Sequence, residues 1–377
     1  MGVGRGSARA RSVAAAIGIA VAGCGGAASS GDVDVDVDVD TTEPASSNHE
    51  KGKKLFERET FGGNGRTCAT CHGAATGTVS PAEAQARFAK NPNDPLFRSI
   101  DSDDGVGSSY TRLLTHATIR VTLPLPPGWS LADDPAATSV TVNRAIPTTL
   151  NVPALDTVFM VDGRFTTLEA QAHGAIDSHY EPGRAPTAPE LAAIAEHQKG
   201  NAFFSSKALR DYARGGAAPA LPPGNTDAEK RGRAWFVESA EGICSHCHGG
   251  PMLNQTTQFL LAPLPPGSRF FTAFVSELNP GNQPVRTFLV QNGDGTTTTI
   301  ASPDPGRALI TGNPAEANFF RIPTLWGAKK TGPWFHDNSA KTLEDLAKHY
   351  SAYFEIVLGR GLTAQDQADI VAYQQLL

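Results

Sequence analysis

The sequence predicts a mainly helical protein made of two like domains with short β insertions. Three observations lead there. The pattern Cys-x-x-Cys-His occurs at Cys68-Ala69-Thr70-Cys71-His72 and again at Cys244-Ser245-His246-Cys247-His248. The residues around each copy repeat one plan at matching distances, and runs of β-branched residues are confined to a few stretches. With 377 residues, 40% hydrophobic and 19% charged, the chain is long enough for two domains with cores of their own.

In chain order, the first element is a targeting segment, expected over residues 1–23. Arg5, Arg9 and Arg11 precede a short apolar run from Val13 to Ala22, too short for a membrane-spanning helix. Val21-Ala22-Gly23-Cys24 resembles a bacterial lipobox, in which cleavage before Cys24 leaves a thiol for a diacylglycerol anchor. An ordinary secretory signal with an incidental cysteine is the other reading. Both export the protein to a bacterial periplasm or cell envelope. Residues 24–48 follow, with Asp-Val repeated from Asp32 to Asp40. An aspartate at every second position would make one face of a strand wholly negative, so an acidic solvated tether is expected. The formal net charge is −6, and residues 1–43 carry half of it, with three arginines against five aspartates and one glutamate. The remainder is close to neutral, which argues against nucleic acid as a partner.

The four remaining cysteines all belong to the two motifs, and Cys-x-x-Cys-His is the attachment signature of c-type haem. Two thiols one helical turn apart reach the two vinyl groups of one haem edge, and the adjacent histidine meets iron from the same side. A dithiol redox pair or half a zinc site would also use Cys-x-x-Cys. The histidine trailing both pairs favours two covalent haems, with His72 and His248 as iron ligands and Cys68, Cys71, Cys244 and Cys247 as attachment points. The expected domains are then cytochrome c-like: an N-terminal haem domain over 49–214, a Gly/Pro-rich linker over 215–225, and a C-terminal haem domain over 226–377.

The duplicated plan starts upstream of the motifs. Glu50–Phe56 and Glu229–Phe236 both read as a short helix with Gly and Phe at matching places, the aromatic end packing on haem. Downstream, Val161-Asp162-Gly163-Arg164 then Thr167-Leu168-Glu169 answers His336-Asp337-Asn338-Ser339 then Thr342-Leu343-Glu344. Thr167 and Thr342 read as helix N-caps. On the second of these helices Leu343, Leu346, Ala347 and Tyr350 share one face. Tyr350 stands fourteen residues beyond His336, and the residue fourteen beyond Val161 is Ala175. A phenol can cap iron and a methyl group cannot, so one haem is expected to carry Tyr350 and the other to keep an open site. His349 is the neighbouring alternative to Tyr350, and Met160 is the one thioether candidate. The insertions expected to be β are Thr118–Leu125 and Ser139–Asn143 in the first half. In the second half a hairpin is expected from Val285 to Ala301 around Asn292-Gly293-Asp294-Gly295.

Over most of residues 50–377 these features resemble the bacterial dihaem cytochrome c peroxidase family, whose relatives include the dihaem enzymes that mature a tryptophan-derived quinone. The specific residues are the two haem motifs, Asp162-Gly163-Arg164, and Pro323-Thr324-Leu325 followed by Pro333-Trp334-Phe335-His336-Asp337. The resemblance implies that the N-terminal haem reduces hydrogen peroxide. Electrons would enter at the C-terminal haem from a small exported donor, a cytochrome c or a copper protein. It also implies a glutamine ten residues and a catalytic glutamate twenty residues beyond Val161, which are Gln171 and Glu181. The position of Tyr350 is a methionine in the peroxidases and a tyrosine in the quinone-maturing branch. Two departures stand out. Val161 occupies the place of a tryptophan that lies between the haems, leaving Trp326, Trp334 or Phe335 as substitutes. Ala145 replaces an asparagine that helps bind calcium, which leaves calcium undecided. A dihaem oxidase or maturase acting on a protein side chain, and a non-enzymatic electron-transfer cytochrome, are the competing functional readings.

Overall fold

The computed structural model describes residues 47–279 and 283–377. The signal segment, the anchor cysteine Cys24 and the Asp-Val run lie outside the described residues. The first half runs through α1 (Ser47–Arg58), α2 (Cys68–Cys71), α3 (Pro81–Lys90), α4 (Thr111–His116), β1 (Thr118–Pro124), β2 (Trp129–Leu131) and β3 (Ser139–Ala145). It continues through α5 (Leu168–His179), α6 (Ala188–Gln198) and α7 (Lys207–Ala213). The second half has α8 (Asp227–Ala234), β4 (Phe270–Phe271), α9 (Val275–Leu278), β5 (Arg286–Gln291) and β6 (Thr297–Ser302). Then come α10 (Ala308–Thr311), β7 (Phe320–Arg321), α11 (Leu343–Leu358) and α12 (Ala364–Gln374). Helix α1 takes in Ser47 and Asn48, the last two residues of the expected tether. Residues 215–225 hold no regular element, and the Tyr373 hydroxyl donates to the Pro222 carbonyl at 2.9 Å within them.

The paired glycines in the sequence have one structural cause. A Cβ on Gly52 of α1 would fall 1.9 Å from the Ala193 carbonyl oxygen of α6. A Cβ on Gly232 of α8 would fall 2.0 Å from the Asp369 carbonyl oxygen of α12. Each half therefore crosses its first helix with a later one, α1 with α6 and α8 with α12, backbone against backbone, and only glycine permits that approach. The aromatic ends that follow, Phe56 and Phe236, are buried. The caps fall where the sequence places them. The Thr167 hydroxyl accepts from the Ala170 amide and the Thr342 hydroxyl from the Asp345 amide, both at 3.1 Å. Glu169 and Glu344 lie in the positive first turns that these caps open.

The β-branched runs form strands as expected, and the expected hairpin forms in the second half. β1 and β3 are antiparallel from Thr118↔Ala145 to Pro124↔Ser139, and β5 and β6 form the hairpin closed at Gln291↔Thr297. One pairing was not legible in the sequence: β2 of the first half joins the edge of β5, with Trp129 opposite Val290. The shared sheet buries Trp129, Leu131, Phe288, Val290 and Ile300 in one core, so the insertions fasten the two halves together. All described residues accordingly belong to one compact unit. Among them, no helix is long and apolar enough to cross a membrane.

Candidate functional site

Both Cys-x-x-Cys-His motifs wind through the same turn. The amide of His72 donates to the Cys68 carbonyl and that of His248 to the Cys244 carbonyl, each at 2.9 Å. Each histidine also uses Nδ1 on the carbonyl five residues ahead, His72 on Gly77 at 2.8 Å and His248 on Leu253 at 2.9 Å. That bond fixes the tautomer and offers Nε2 as the ligating nitrogen, the arrangement expected of an iron-binding histidine. Gly77 is required there: its φ is +64°, and a Cβ would meet the Thr149 hydroxyl at 2.5 Å.

The thiols do not suit dithiol redox chemistry. Burial pushes Cys68 up to about 11 and both Cys244 and Cys247 up to about 12, whereas redox-active pairs have depressed values. Among the described residues no cluster of three or more His, Cys, Asp or Glu side chains is placed to hold a metal ion.

Beside each motif lies a large apolar recess. The first spans about 940 Å³, including space open to solvent, and is lined by Cys68, Cys71, His72, Phe56, Gln171 and Ala175 among others. The second spans about 1810 Å³ on the same measure and includes Cys244, Cys247, His248, Phe236, Leu346 and Tyr350. Thiols and a histidine of fixed tautomer on one wall of an apolar slot fit a c-type haem in both places.

Gln171 and Ala175 line the first recess together, and the Gln171 amide donates to the Met160 sulfur at 3.7 Å. Met160 is thus inside the same recess, with φ at +67°. Glu181 is not on its lining. It is exposed, follows the end of α5 with φ at +49°, and accepts from the Asn64 side chain at 2.9 Å. The cause is the preceding loop. The Asn64 amide donates to the Tyr180 carbonyl at 2.7 Å, and the Gly183 amide to the Phe61 carbonyl at 3.0 Å. These bonds turn the chain outward after His179.

Tyr350 lines the second recess, and burial holds its hydroxyl well above the usual phenol range. Its competitor His349 is tied on both ring nitrogens, to the Ala273 carbonyl at 2.8 Å and to Asn279 at 3.2 Å, and is not on the lining. Of the proposed substitutes for a tryptophan at 161, Trp334 and Phe335 line the second recess only, and Trp326 lines neither. Both recesses are lined by Ile146, Pro147, Val152 and Arg321, which form a shared wall without an aromatic side chain.

Several further residues at the site have no role assigned from sequence. Arg66 is not singled out there, and His336 and Asp162-Gly163-Arg164 serve only as marks of the resemblance. His179 is one of three available histidines, with His116 and His173, none a clear match for an axial ligand of the first haem. Arg66 lines the first recess fully buried, bound to Asp101 at 2.6 Å and to the carbonyls of Pro95 and Leu96, and so fixes the start of the first motif. His336 is stacked on Phe320 with centroids 3.7 Å apart and lines the second recess with both ring nitrogens unpartnered. His179 lines the first recess from the last position of α5. The Asp162-Gly163-Arg164 segment is held by a buried network. Arg144 bonds Asp162 and grips Asp304 with two nitrogens at 2.7 and 2.9 Å, and Arg164 returns to Asp162 at 2.8 Å. Gly163 is wedged against Phe270, where a Cβ would come within 2.2 Å of the ring.

A family model described as di-haem cytochrome c peroxidase matches residues 46–209. Over that stretch, 164 of the 377 residues, the chain is similar to that family. Its members are oxidoreductases, and two haems in two recesses accord with the family description. The cytochrome c551 peroxidase of Nitrosomonas europaea is 37% identical over 76 residues, 20% of this chain and 22% of the relative. The cytochrome-c peroxidase IdrP1 of a Pseudomonas species is 28% identical over 194 residues, 49% of this chain and 48% of the relative. The matched region therefore spans at most about half the length of these curated relatives. A solved structure of a MauG-like protein associated with microbial copper homeostasis aligns with 89% of this chain and 90% of its own. Its TM-score is 0.50 at 18% identity, a likeness of fold.

Proposed function

We propose that this chain reduces hydrogen peroxide in the first recess with electrons that enter at the second. One observation carries the reading: the same helix, used twice, presents Gln171 and Ala175 to one recess and Leu346 and Tyr350 to the other. Haem bound at His72 would supply the iron at which the O–O bond is cleaved, and haem bound at His248 would relay electrons. Ala175 leaves room for a small ligand. The Gln171 amide is placed to orient it by hydrogen bonding. Tyr350 fills the corresponding volume in the second recess and excludes a ligand there. The net reaction takes one peroxide, two electrons and two protons to two waters. A small exported redox protein, a cytochrome c or a copper protein, is the proposed donor. Glu181, at the solvent side of the loop after α5, exchanges protons with water. The proposal also places the protein in the bacterial periplasm or cell envelope, anchored through Cys24.

The test is oxidation of a reduced small cytochrome c by peroxide, catalysed by the haem-loaded protein. Two cytochromes oxidised per peroxide is the expected stoichiometry, and Glu181→Gln, exposed in this structure, should slow turnover by less than about tenfold. The reading fails if both irons are six-coordinate and inert to peroxide in every redox state. Tyr350 favours a second reading, oxidation of a protein side chain. A protein that reacts with peroxide but turns over no small cytochrome would support it.

A further inference from the structure

The recess-facing helices correspond residue by residue beyond the pair just used. With a shift of 175 positions, Leu168, Gln171, Ala172, Ala175 and His179 of α5 match Leu343, Leu346, Ala347, Tyr350 and Phe354 of α11. All ten line their recesses. Three of the pairs change character. At i, i+4 and i+8 of one face, α11 offers leucine, tyrosine and phenylalanine, whereas α5 offers an amide, a methyl group and an imidazole.

His179 is held firmly at that place. It closes α5, and its carbonyl accepts from the Asn64 side chain at 3.0 Å and from Arg66 at 3.4 Å, while Arg66 is pinned by Asp101. The residue is 9% exposed, and its ring Nδ1 is buried with no hydrogen-bond partner. An unsatisfied buried nitrogen costs about 1–3 kcal/mol, and Phe354 shows that an apolar ring fits the equivalent position without that cost. Burial also lowers the imidazole to about 4, so at neutral pH it is uncharged, with one nitrogen to accept and one to donate.

We propose that His179 is the residue that hydrogen-bonds the ligand taken into the first recess and carries the peroxide proton between its two oxygens. This rests on the reading of that recess as the peroxide site. The imidazole takes a proton from one oxygen and returns it to the other. The O–O bond then breaks with the second oxygen leaving as water. Two electrons from the donor protein and two protons from solvent convert the first oxygen to the second water. Glu181, turned outward onto Asn64, replenishes protons from the solvent side and does not hold the ligand.

The test compares haem-loaded parent, His179→Phe, His179→Leu, His179→Gln and Glu181→Gln. The readouts are cyanide affinity of the ferric first haem, the carbon monoxide stretch of the ferrous form, and the rate of reaction with peroxide. His179→Phe and His179→Leu should weaken cyanide at least about tenfold and raise the carbon monoxide frequency. His179→Gln should recover most of the affinity, and Glu181→Gln should keep the parent's cyanide affinity and carbon monoxide frequency. The peroxide reaction should slow by about a hundredfold or more in the Phe and Leu variants. Parent-like cyanide affinity in both of these variants overturns the proposal. So does a resting spectrum that turns from six- to five-coordinate on losing the imidazole, which would make His179 an axial ligand. If the parent is inert to peroxide yet the cyanide pattern holds, the peroxidase reading fails and the assignment of His179 to the bound ligand stands.

Discussion

Replacing Arg144 by methionine removes the centre of the buried network behind the Asp162-Gly163-Arg164 segment. The structure says which partner suffers. Asp162 keeps Arg164 at 2.8 Å, so it stays paired. Asp304 loses both of its guanidinium bonds and keeps only the Gly306 amide, at 2.8 Å, as a donor to its carboxylate. One fully buried carboxylate is thus stranded, and breaking a buried pair in this way costs about 3–5 kcal/mol. For a chain of this size that lowers the thermal midpoint by roughly 4–6 °C.

The pH dependence follows from the sign of the shifts. In the parent, Arg144 holds Asp304 and Asp162 below the ordinary carboxylate value despite burial. Their contribution is therefore present above the unfolded pKa of about 3.9 and is lost as pH falls through the lower folded values. In Arg144→Met, burial without the cation raises Asp304 instead, and its penalty is relieved on protonation. The stability gap between parent and variant should be widest near pH 7 and narrow toward about pH 4. Thermal unfolding followed by circular dichroism and by Soret absorbance, across that range, measures it. Adding Asp304→Asn should restore about half of the loss or more. A gap below about 1 kcal/mol at pH 7, or one that widens on acidification, refutes the argument.

Two further outcomes are expected. Gly52→Ala and Gly232→Ala should each destabilise by about 1–3 kcal/mol, although alanine is the better helix former, because the added carbon meets a facing carbonyl; chemical denaturation of the haem-loaded variants reads it, and a gain in stability would contradict the crossing. Tyr350→Phe should open the second haem to exogenous ligands while leaving the recess packed, seen as a change in its ferric spectrum and as cyanide binding at two sites where the parent binds at one.

What was legible in the sequence was local or repeated. The two motifs, the glycine and aromatic before each, the capping threonines and the Asn-Gly-Asp-Gly hairpin all act within a few residues of themselves. The doubled spacing let each copy corroborate the other. What stayed hidden depends on contacts between distant segments. Nothing in Trp129–Leu131 announces that its partner is β5, because a three-residue strand carries no periodicity and its edge is chosen by packing. Arg66 reads as one more charged residue until Asp101 and two carbonyls enclose it. Glu181 came from the family resemblance carried onto a matching spacing, and spacing cannot foresee that the loop at Phe61–Asn64 turns the chain outward beyond α5. His179 was within reach. Extending the Gln171–Ala175 step by one more turn, and aligning it with Phe354, picks it out.

In the proposed reading that extra turn also explains how one scaffold serves two roles. Attachment is the same in both recesses, with a histidine of fixed tautomer and paired thiols, so it cannot tell them apart. The opposite wall can. Leucine, tyrosine and phenylalanine close the second recess against water and ligand, which keeps its surroundings little changed as an electron passes. Glutamine, alanine and histidine leave space and the unpartnered His179 Nδ1 in the first, where a small polar ligand gains bonds that the empty recess cannot provide. Because Ile146, Pro147, Val152 and Arg321 line both, the two roles meet across a single layer of side chains. The transfer between them then depends on the thinness of that wall more than on the identity of residue 161, which is why a valine there is compatible with the function proposed.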